Sequence, residues 1–401
     1  MPSPIRSERA LVALVALVQF LNIVNFMMVA PLGPDLARGI GLPTSAIGTI
    51  AGSYTLAAAA GSLLAANWLD RLDRRSILIT ALGGQAIGTL AAALSWDMPS
   101  LIAARLAGGL FAGPASSTAL AVVMDAVPAH RRGRAMGTVM GAFAAASVLG
   151  VPAGLELARL AGWPTPFLAL GGALLALAAV AAWALPPLRA HIRTDAGHRI
   201  IALIQRGEPP LAFAMIVVSV MAGFLLIPNL STFYQLNLGY PREWLSLLYL
   251  VGGSVTFFTM HLAGRLTDRL GALTVAVTAG VAYQLVAFGG FVVSDPWLPV
   301  MGLFVAFMVC RSSLGVSMNT LVTHVPWPHE RAAFMSLKTA TQHLAGAAGA
   351  FLSAGLLSET DSGALVGVPT VAGLSMVLAA SQPALMAMLV RRLKINEAAT
   401  T

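Results

Sequence analysis

Residues 164–187 read PTPFLALGGALLALAAVAAWALPP and contain no charged side chain. A helix needs about 20 consecutive, mostly apolar residues to cross the hydrocarbon core of a bilayer, so this stretch predicts a membrane span. Comparable stretches recur along the whole chain. We predict twelve spans, numbered in chain order, at residues 10–30, 45–68, 76–96, 99–124, 135–160, 164–187, 211–236, 244–264, 272–293, 298–322, 333–357 and 365–390.

The composition of the 401-residue chain agrees with a membrane protein. Hydrophobic residues make up 57% and charged residues 10%, with a mean hydropathy of +0.81, whereas soluble domains carry about 25% charged residues. Disordered chains are also charged and poor in apolar residues, so that class is excluded. The net charge of +8 does not indicate nucleic acid, because the basic residues fall between apolar runs. The chain has a single cysteine, Cys310, which excludes an internal disulfide, and it lies within an apolar run.

Basic residues predict the orientation of the chain, because loops on the cytoplasmic side are enriched in lysine and arginine. The loops after spans two, four and six, together with both chain ends, hold most of the arginines. We therefore expect both termini in the cytoplasm, which requires an even number of spans. The stretch 188–210 is the longest connection and is rich in charge, so we predict a cytoplasmic linker there. It separates a six-helix bundle at 1–187 from a second one at 211–401.

The two predicted halves resemble each other. An Asp-Arg pair ends span two as Asp70 and Arg71, and another ends span eight as Asp268 and Arg269. One arginine lies inside span four and one inside span ten, at Arg105 and Arg311. Aligned features at nearly one offset indicate two parallel repeats, which is the architecture of transporters that open alternately to either side.

Several motifs resemble those of a known family. Residues 264–271 read GRLTDRLG, which is similar to the cytoplasmic signature Gly-x-Leu-x-Asp-Arg-x-Gly of the major facilitator superfamily. The first-half copy, at 66–75, keeps the Asp and Arg but has Ala66 and Asp73 in place of the two glycines. Residues 101–109 resemble the span-four motif of the family with its buried arginine. Residues 150–154 resemble the span-five antiporter motif, although the family has its Gly and Pro adjacent.

The resemblance covers the whole chain and implies the major facilitator fold, an all-α membrane protein of twelve transmembrane helices in two pseudo-symmetric six-helix bundles. It is closest to the bacterial drug and sugar efflux branch, which includes arabinose-efflux-type permeases and drug:proton antiporters. It therefore implies a monomeric transporter in the bacterial inner membrane, with a small-molecule substrate, protons as the coupling ion and no cofactor. No metal-ligand motif or nucleophile elbow indicates an enzyme.

The signature residues are expected to form a gate at the cytoplasmic side. The resemblance implies that Asp70 meets the start of span eleven and Asp268 meets the start of span five, where a carboxylate favours the positive end of a helix. Solvated loop charges are the alternative. The expected gate residues are Asp70, Arg71, Arg74, Arg75, Gly264, Asp268, Arg269 and Gly271. The span-five motif residues are Gly150, Pro152 and Gly154, for which close helix packing is the alternative.

Polar side chains inside membrane spans are costly and mark functional sites by default. Spans one, four, seven and ten line the substrate cavity in the superfamily, and this chain has polar residues there. The candidate cavity residues are Gln19, Asn22, Asn25, Arg105, Asn229, Tyr234, Gln235, Tyr283, Gln284, Arg311, Asn319, Lys338, Gln342 and His343. Structural roles are the alternatives. The span-one amides would then form interhelical hydrogen bonds, and the arginines would bind backbone carbonyls or helix ends. Lys338 would reach the cytoplasmic surface, and His343 would be a core histidine with its hydrogen bonds satisfied.

The acidic residues limit how protons could be coupled. Proton-coupled members of the efflux branch often have an acidic residue in span one, near Asn25, but an amide carries no proton. The candidates are Glu156, Asp35 and His343, and the alternative for Glu156 is a plain ion pair with Arg159. Proton-coupled export of drugs, sugars or related amphipathic compounds is the first functional hypothesis. The second is an organic-anion exchanger or facilitator, because Arg105, Arg311 and Lys338 give the cavity a positive balance.

Overall fold

A computed structural model describes residues 8–66, 72–186, 188, 207–327 and 331–400. The predicted linker therefore lies mostly outside the described residues, as do Asp70 and Arg71. We keep the span numbers for the helical segments. Spans one, three, four and six are single helices, Glu8–Met27, Arg74–Ala93, Met98–Ala126 and Pro164–Ala184. Span two begins with a turn of 3-10 helix, Thr44–Ala46, and continues as Ile47–Ala66. Span five consists of Ala129–Ala145, a π-helical turn at Ala146–Gly150, and Val151–Ala161.

Spans seven to twelve follow in the second half. Span seven starts as Glu208–Leu226, passes through a 3-10 turn, Ile227–Asn229, and continues as Leu230–Thr232 and a π-helical turn, Phe233–Asn237. Span eight begins with a 3-10 turn, Arg242–Trp244, and continues as Leu245–Leu270, and span nine is Ala272–Ala287 followed by a π-helical turn, Phe288–Val292. Spans ten, eleven and twelve are the single helices Val300–Val322, Arg331–Leu356 and Val368–Thr400. Span seven begins at Glu208, three residues before its predicted start.

Eleven helical segments of the described chain are long and apolar enough to cross a membrane, and they coincide with predicted spans one to ten and twelve. The segment at span eleven, Arg331–Leu356, has 26 residues and is outside that group. Its first half carries Lys338, Thr339 and Gln342, which lower its hydropathy. The membrane forces helices on all these segments, because lipid offers no hydrogen-bond partner to the backbone.

Local sequence explains where the helices begin and break. Asp97 caps span four: its Oδ1 accepts from the Ser100 backbone N–H at 2.8 Å, and the Asp97 N–H donates to Ser100 Oγ at 3.2 Å. Pro228 interrupts span seven, because proline has no N–H and its ring displaces the carbonyl one turn earlier. Ser353 Oγ donates a hydrogen bond to the neighbouring Leu225 carbonyl at 2.6 Å.

Two elements were not predicted. A short helix, Gly33–Ile40, lies between spans one and two and ends at Gly41, whose φ is +65°. A two-stranded antiparallel hairpin joins spans eleven and twelve, with β1, Ser358–Glu359, paired to β2, Leu365–Val366. Neither element has the length or the apolar periodicity that membrane spans have, so hydropathy did not reveal them.

Contacts divide the chain into two compact units. Unit 1 comprises Met1–Asp195 together with Pro241–Leu250, and unit 2 comprises Ala196–Tyr240 together with Val251–Thr401. In unit 1, spans two, three and four approach closely at glycines. A Cβ at Gly61 would collide with the Leu110 carbonyl, and one at Gly109 with the Tyr54 carbonyl. Small residues thus let these helices pack backbone to backbone.

Candidate functional site

The polar stripe of span one is buried in unit 1 and faces span four. Gln19 Nε2 donates to the Ser116 carbonyl at 3.2 Å, and Ser116 Oγ donates to Gln19 Oε1 at 2.9 Å. Asn22 Nδ2 donates to the Ala112 carbonyl at 3.0 Å. These contacts are interhelical hydrogen bonds, the structural role that the sequence had left open for the stripe.

Arg105 is buried within unit 1, with only 2% of its surface exposed. Its Nη1 donates to Asn25 Oδ1 at 2.9 Å, and its Nη2 donates to the Asn25 carbonyl at 3.1 Å. The guanidinium carbon lies 4.0 Å from the centre of the Tyr54 ring. A buried charge needs such partners, because leaving water is costly. Here the partners are an amide, a backbone carbonyl and the face of an aromatic ring.

Three residues that the sequence analysis missed complete this site: Tyr54, Gln85 and Thr89. Gln85 Nε2 donates to Asn22 Oδ1 at 2.9 Å and to Tyr54 Oη at 3.0 Å. Asn25 Nδ2 donates to Thr89 Oγ1 at 2.7 Å. All three are buried. A single polar residue in a span has no periodic pattern to reveal it, although the position of Gln85 within an apolar run was a usable signal. We call Asn22, Asn25, Tyr54, Gln85, Thr89 and Arg105 the polar cluster of unit 1.

In unit 2, side chains from three spans bind carbonyls of span seven. Arg311 Nη2 donates to the Ser219 carbonyl at 2.7 Å. Ser375 Oγ donates to the Ala222 carbonyl at 2.6 Å, and Ser353 Oγ donates to the Leu225 carbonyl, as described above. The three acceptors recur every third residue and therefore lie along one side of the helix. Arg311 is only half-buried and lies 5.7 Å from the Tyr283 ring centre.

The other candidates of unit 2 are spread over several contacts. Asn229 Nδ2 donates to Ser353 Oγ at 2.9 Å, Tyr283 Oη bonds Ser375 Oγ at 2.6 Å, and Gln284 Nε2 donates to the Met376 carbonyl at 3.0 Å. Tyr234 packs against Phe291 and Phe304. Asn319 bonds its own helix, at the Gly315 carbonyl, and Gln235 is half-buried.

Span eleven carries the remaining predicted cavity residues. Lys338 is 9% exposed, whereas Gln342 and His343 are half-buried. At the start of this helix, Phe334 stacks on Phe213, with 5.2 Å between the ring centres. A small apolar cavity lies elsewhere in unit 2, and Asn229 is the one predicted residue in its lining. It has space for about one water molecule.

The predicted cytoplasmic gate is described in part. Arg74 is buried at the start of span three, and Arg75 donates to the Ala182 carbonyl at the end of span six. Asp73, which stands where the family has glycine, accepts from the Arg75 N–H at 3.3 Å and from the Leu188 N–H at 2.6 Å. At the end of span eight, Asp268 and Arg269 are exposed, Gly264 is half-buried, and Gly271 has a φ of +87°.

The glycines of the span-five motif contact the last turn of span one and the residue that follows it. A Cβ at Gly150 would collide with Val24, and one at Gly154 with Met28. Pro152 lies in the first turn of Val151–Ala161, directly after the π-helical turn. These contacts fit the packing alternative for the pair at 150 and 154. Gly137 and Gly141, the second pair with this spacing, face open space: apart from their own helix backbone, no described atom lies within 4 Å of the point that a Cβ would occupy.

Two of the proton-coupling candidates belong to ion pairs in unit 1. Asp35 pairs with Arg38 at 2.7 Å and with Arg242 at 2.7 Å. Glu156 pairs with Arg159, and Ser246 Oγ donates to it at 3.4 Å. Glu156 and Arg159 remain 41% and 39% exposed. Arg242, which no sequence motif singled out, is only 14% exposed.

The chain is similar to known membrane transporters over most of its length. The family model of the Major Facilitator Superfamily matches residues 15–350. The chain is 28% identical over 339 residues to the chloramphenicol resistance protein of Streptomyces lividans, covering 83% of this chain and 85% of that protein. It is 26% identical over 243 residues to the inner membrane transport protein YdhP of Escherichia coli, covering 60% of this chain and 62% of that protein.

Solved structures resemble the fold at low sequence identity. The inward open xylose transporter XylE from E. coli has a TM-score of 0.71 and 13% identity, covering 94% of this chain and 96% of that one. A bacterial homologue of the human lysosomal transporter Spinster, inward-facing and unoccupied, has a TM-score of 0.70 and 14% identity, covering 96% of this chain and 95% of that one. These likenesses concern the fold alone.

Proposed function

Because this chain belongs to the Major Facilitator Superfamily, we propose that it exports small amphipathic compounds, such as drugs or sugars, by alternating access and in exchange for protons. Membership makes it a multi-pass membrane transporter of small molecules and not an enzyme. Our proposal includes a bacterial inner-membrane location, cytoplasmic termini and a monomeric state. It also includes the predicted gate and two six-helix bundles with the boundaries given above.

One observation carries the choice of export. The similarity to the chloramphenicol resistance protein extends over 83% of this chain and 85% of that protein. Among transporters, resistance to a compound follows when the compound is moved out of the cell. We therefore expect the substrates to include compounds of the size and amphipathic character of chloramphenicol. The mostly apolar composition of the spans supports such substrates, because apolar sites bind amphipathic ligands.

The basic residues inside predicted spans support organic anions as a second candidate. Arg105, Arg311 and Lys338 lie within predicted spans, whereas Glu156, the acidic residue placed inside a span, is engaged by Arg159. Charges deep in a membrane protein are retained where they meet substrates or one another. The carboxylate of a substrate would complete the electrostatic balance of such a site. Exchange or facilitated diffusion of organic acids would then replace proton-coupled export.

Transport by purified protein in liposomes tests both candidates. Radiolabelled chloramphenicol, xylose and benzoate should be offered with an imposed pH gradient and again after an ionophore has collapsed it. Proton-driven export predicts uptake of chloramphenicol or xylose that stops with the gradient. Anion exchange predicts movement of benzoate that persists and is stimulated by internal benzoate. No movement of any compound above protein-free liposomes would contradict the proposal.

Matched arginine variants sharpen the comparison. We expect Arg105→Ala and Arg311→Ala to reduce transport of the substrate. Arg391→Ala removes the same charge from an exposed position near the end of span twelve and should transport normally. Equal activity in all three variants would remove the arginines from the proposed site.

A further inference from the structure

We propose that Arg242 is a positioning residue: it binds Asp35, holds residues 241–250 on unit 1, and thereby sets how readily this segment detaches during transport. The inference rests on the proposed function, because it concerns the conformational step of alternating access. It does not depend on the identity of the substrate. It also assigns Asp35 a role that needs no proton transfer.

Two of the three guanidinium nitrogens of Arg242, Nε and Nη2, bind two partners, the Asp35 carboxylate and the Leu155 carbonyl. Nε donates to Asp35 Oδ1 at 3.1 Å and to Oδ2 at 2.9 Å, and Nη2 lies 2.7 Å from Oδ2. Nη2 also donates to the Leu155 carbonyl at 3.0 Å. The side chains of Arg242 and Asp35 are 14% and 16% exposed. A forked, largely dehydrated arginine–carboxylate pair is geometrically specific and stronger than a surface ion pair.

The rest of the segment adds apolar contacts and one weak polar contact. Leu245 and Leu248 have no exposed surface. Ser246 Oγ donates to Glu156 at 3.4 Å, close to the limit for a hydrogen bond. Leucines gain free energy by burial against any apolar partner, including lipid in a membrane. The arginine pair is therefore the contact that specifies this particular position.

The position of Pro241–Leu250 affects conformational change, because the chain before and after this segment belongs to unit 2. Residues 196–240 before it and 251–401 after it belong to unit 2, whereas Pro241–Leu250 belongs to unit 1. The segment is therefore joined at both ends to helices whose contacts lie in the other unit. A conformational step that moves those helices away must carry the segment with them. It must then break the bond between Arg242 and Asp35.

The pair contributes free energy only to the state in which it is formed, so it shifts the equilibrium between the two states. Removing Arg242 also leaves the Asp35 carboxylate partly buried without its main partner, which disfavours that state further. Arg38 contacts the same carboxylate but is 65% exposed. Exposed pairs contribute little. Arg38→Ala is therefore a control that removes the same charge from the same partner.

The experiment measures how often Leu245 becomes accessible. A cysteine is placed at Leu245 in a Cys310→Ser background, and the purified protein in lipid nanodiscs is labelled with a water-soluble maleimide. We expect Arg242→Ala to raise the labelling rate about tenfold or more, which is the effect of one lost charge-assisted hydrogen bond. Arg38→Ala should change it less than about twofold. The double variant Asp35→Arg with Arg242→Asp should restore most of the protection.

The outcomes separate this inference from the proposed function. An unchanged rate in Arg242→Ala, or an equal rise in Arg38→Ala, would overturn it even if the protein transports chloramphenicol. Increased labelling in a protein that transports none of the tested compounds would instead contradict the proposed function alone. Where Arg242→Ala does not fold, Arg242→Lys keeps the charge but loses the fork and should show an intermediate rate. In liposomes, Arg242→Ala should change kcat more than KM, because the residue does not contact substrate.

Discussion

At the scale of single residues, Arg105 shows how this protein keeps a permanent charge inside a membrane domain. The guanidinium has no carboxylate partner among its described contacts and bonds instead to both the side chain and the carbonyl of Asn25. The ring of Tyr54 covers one face. Asn25 is thus bound to Arg105 on one side and to Thr89 on the other. An aspartate at this position would add a titratable group, whereas the amide keeps the pair independent of pH.

Replacing Asn25 tests this arrangement. Asn25→Leu leaves Arg105 Nη1 without its acceptor, so we expect the free energy of unfolding to fall by about 2 kcal/mol, as for hydrogen bonds to charged groups. Gln19→Leu removes a neutral amide from the same stripe and should cost only about 0.6 kcal/mol, the average for interhelical hydrogen bonds in membranes. Denaturant titration of both variants in the same detergent measures the difference. Equal losses would mean that Arg105 does not depend on Asn25.

At the scale of helices, the space beside each glycine determines which glycines are required. Gly61 faces the backbone carbonyl of Leu110, which cannot move without displacing span four, whereas Gly137 has open space at its Cβ position. We expect Gly61→Ala to lower the free energy of unfolding by about 1–3 kcal/mol through overpacking. Gly137→Ala should not lower it, because alanine favours the helix. Thermal unfolding of both variants measures these changes in stability. A destabilised Gly137→Ala would contradict the packing described.

The start of span four should respond to pH. Hydrogen bonds from the Ser100 hydroxyl and backbone hold the pKa of Asp97 below its ordinary value of 3.8. Because the folded-state pKa is lowered, the cap stabilises the protein above the ordinary pKa, and this contribution disappears as pH falls through the lowered value. Asp97→Ala should therefore reduce the unfolding temperature at pH 7, and this reduction should shrink as the pH falls below 3.8.

Another acidic residue provides the control for Asp97. Asp295 is an exposed loop residue, so Asp295→Ala should leave the unfolding temperature close to that of the parent at pH 7 and at pH 3. A deficit of Asp97→Ala that stayed constant from pH 7 to pH 3 would show that its carboxylate does not act as the cap.

The helices could be predicted from sequence far better than the site. Apolar runs of span length leave the backbone no alternative to helix in lipid, and eleven of them coincide with helices of the described chain. The polar stripe at Gln19, Asn22 and Asn25 also showed its periodicity. Tyr54 and Gln85, which complete the polar cluster of unit 1, showed no such pattern in the sequence. Their contacts with the stripe depend on how four spans pack together. Arg242 was hidden for the same reason.

At the scale of the molecule, orientation is the property that the charge distribution predicts and that experiment can establish directly. We expect green fluorescent protein fused to the C-terminus to fluoresce and alkaline phosphatase at the same position to be inactive, because both results indicate a cytoplasmic end. Phosphatase fused after Gly239, between spans seven and eight, should be active. An active phosphatase at the C-terminus would contradict the predicted cytoplasmic C-terminus.

The hairpin between spans eleven and twelve is a suitable place to insert an engineered tag. The Asn237 side chain donates to the Leu365 carbonyl at 2.8 Å and accepts from the Leu365 N–H at 2.9 Å, as a third strand would. Because this anchor lies below the turn, residues 360–363 can be lengthened without disturbing the ends of the spans. An epitope or affinity tag inserted between Asp361 and Ser362 would let an antibody fragment bind at a fixed position. The bound fragment would enlarge this small transporter for imaging by electron microscopy.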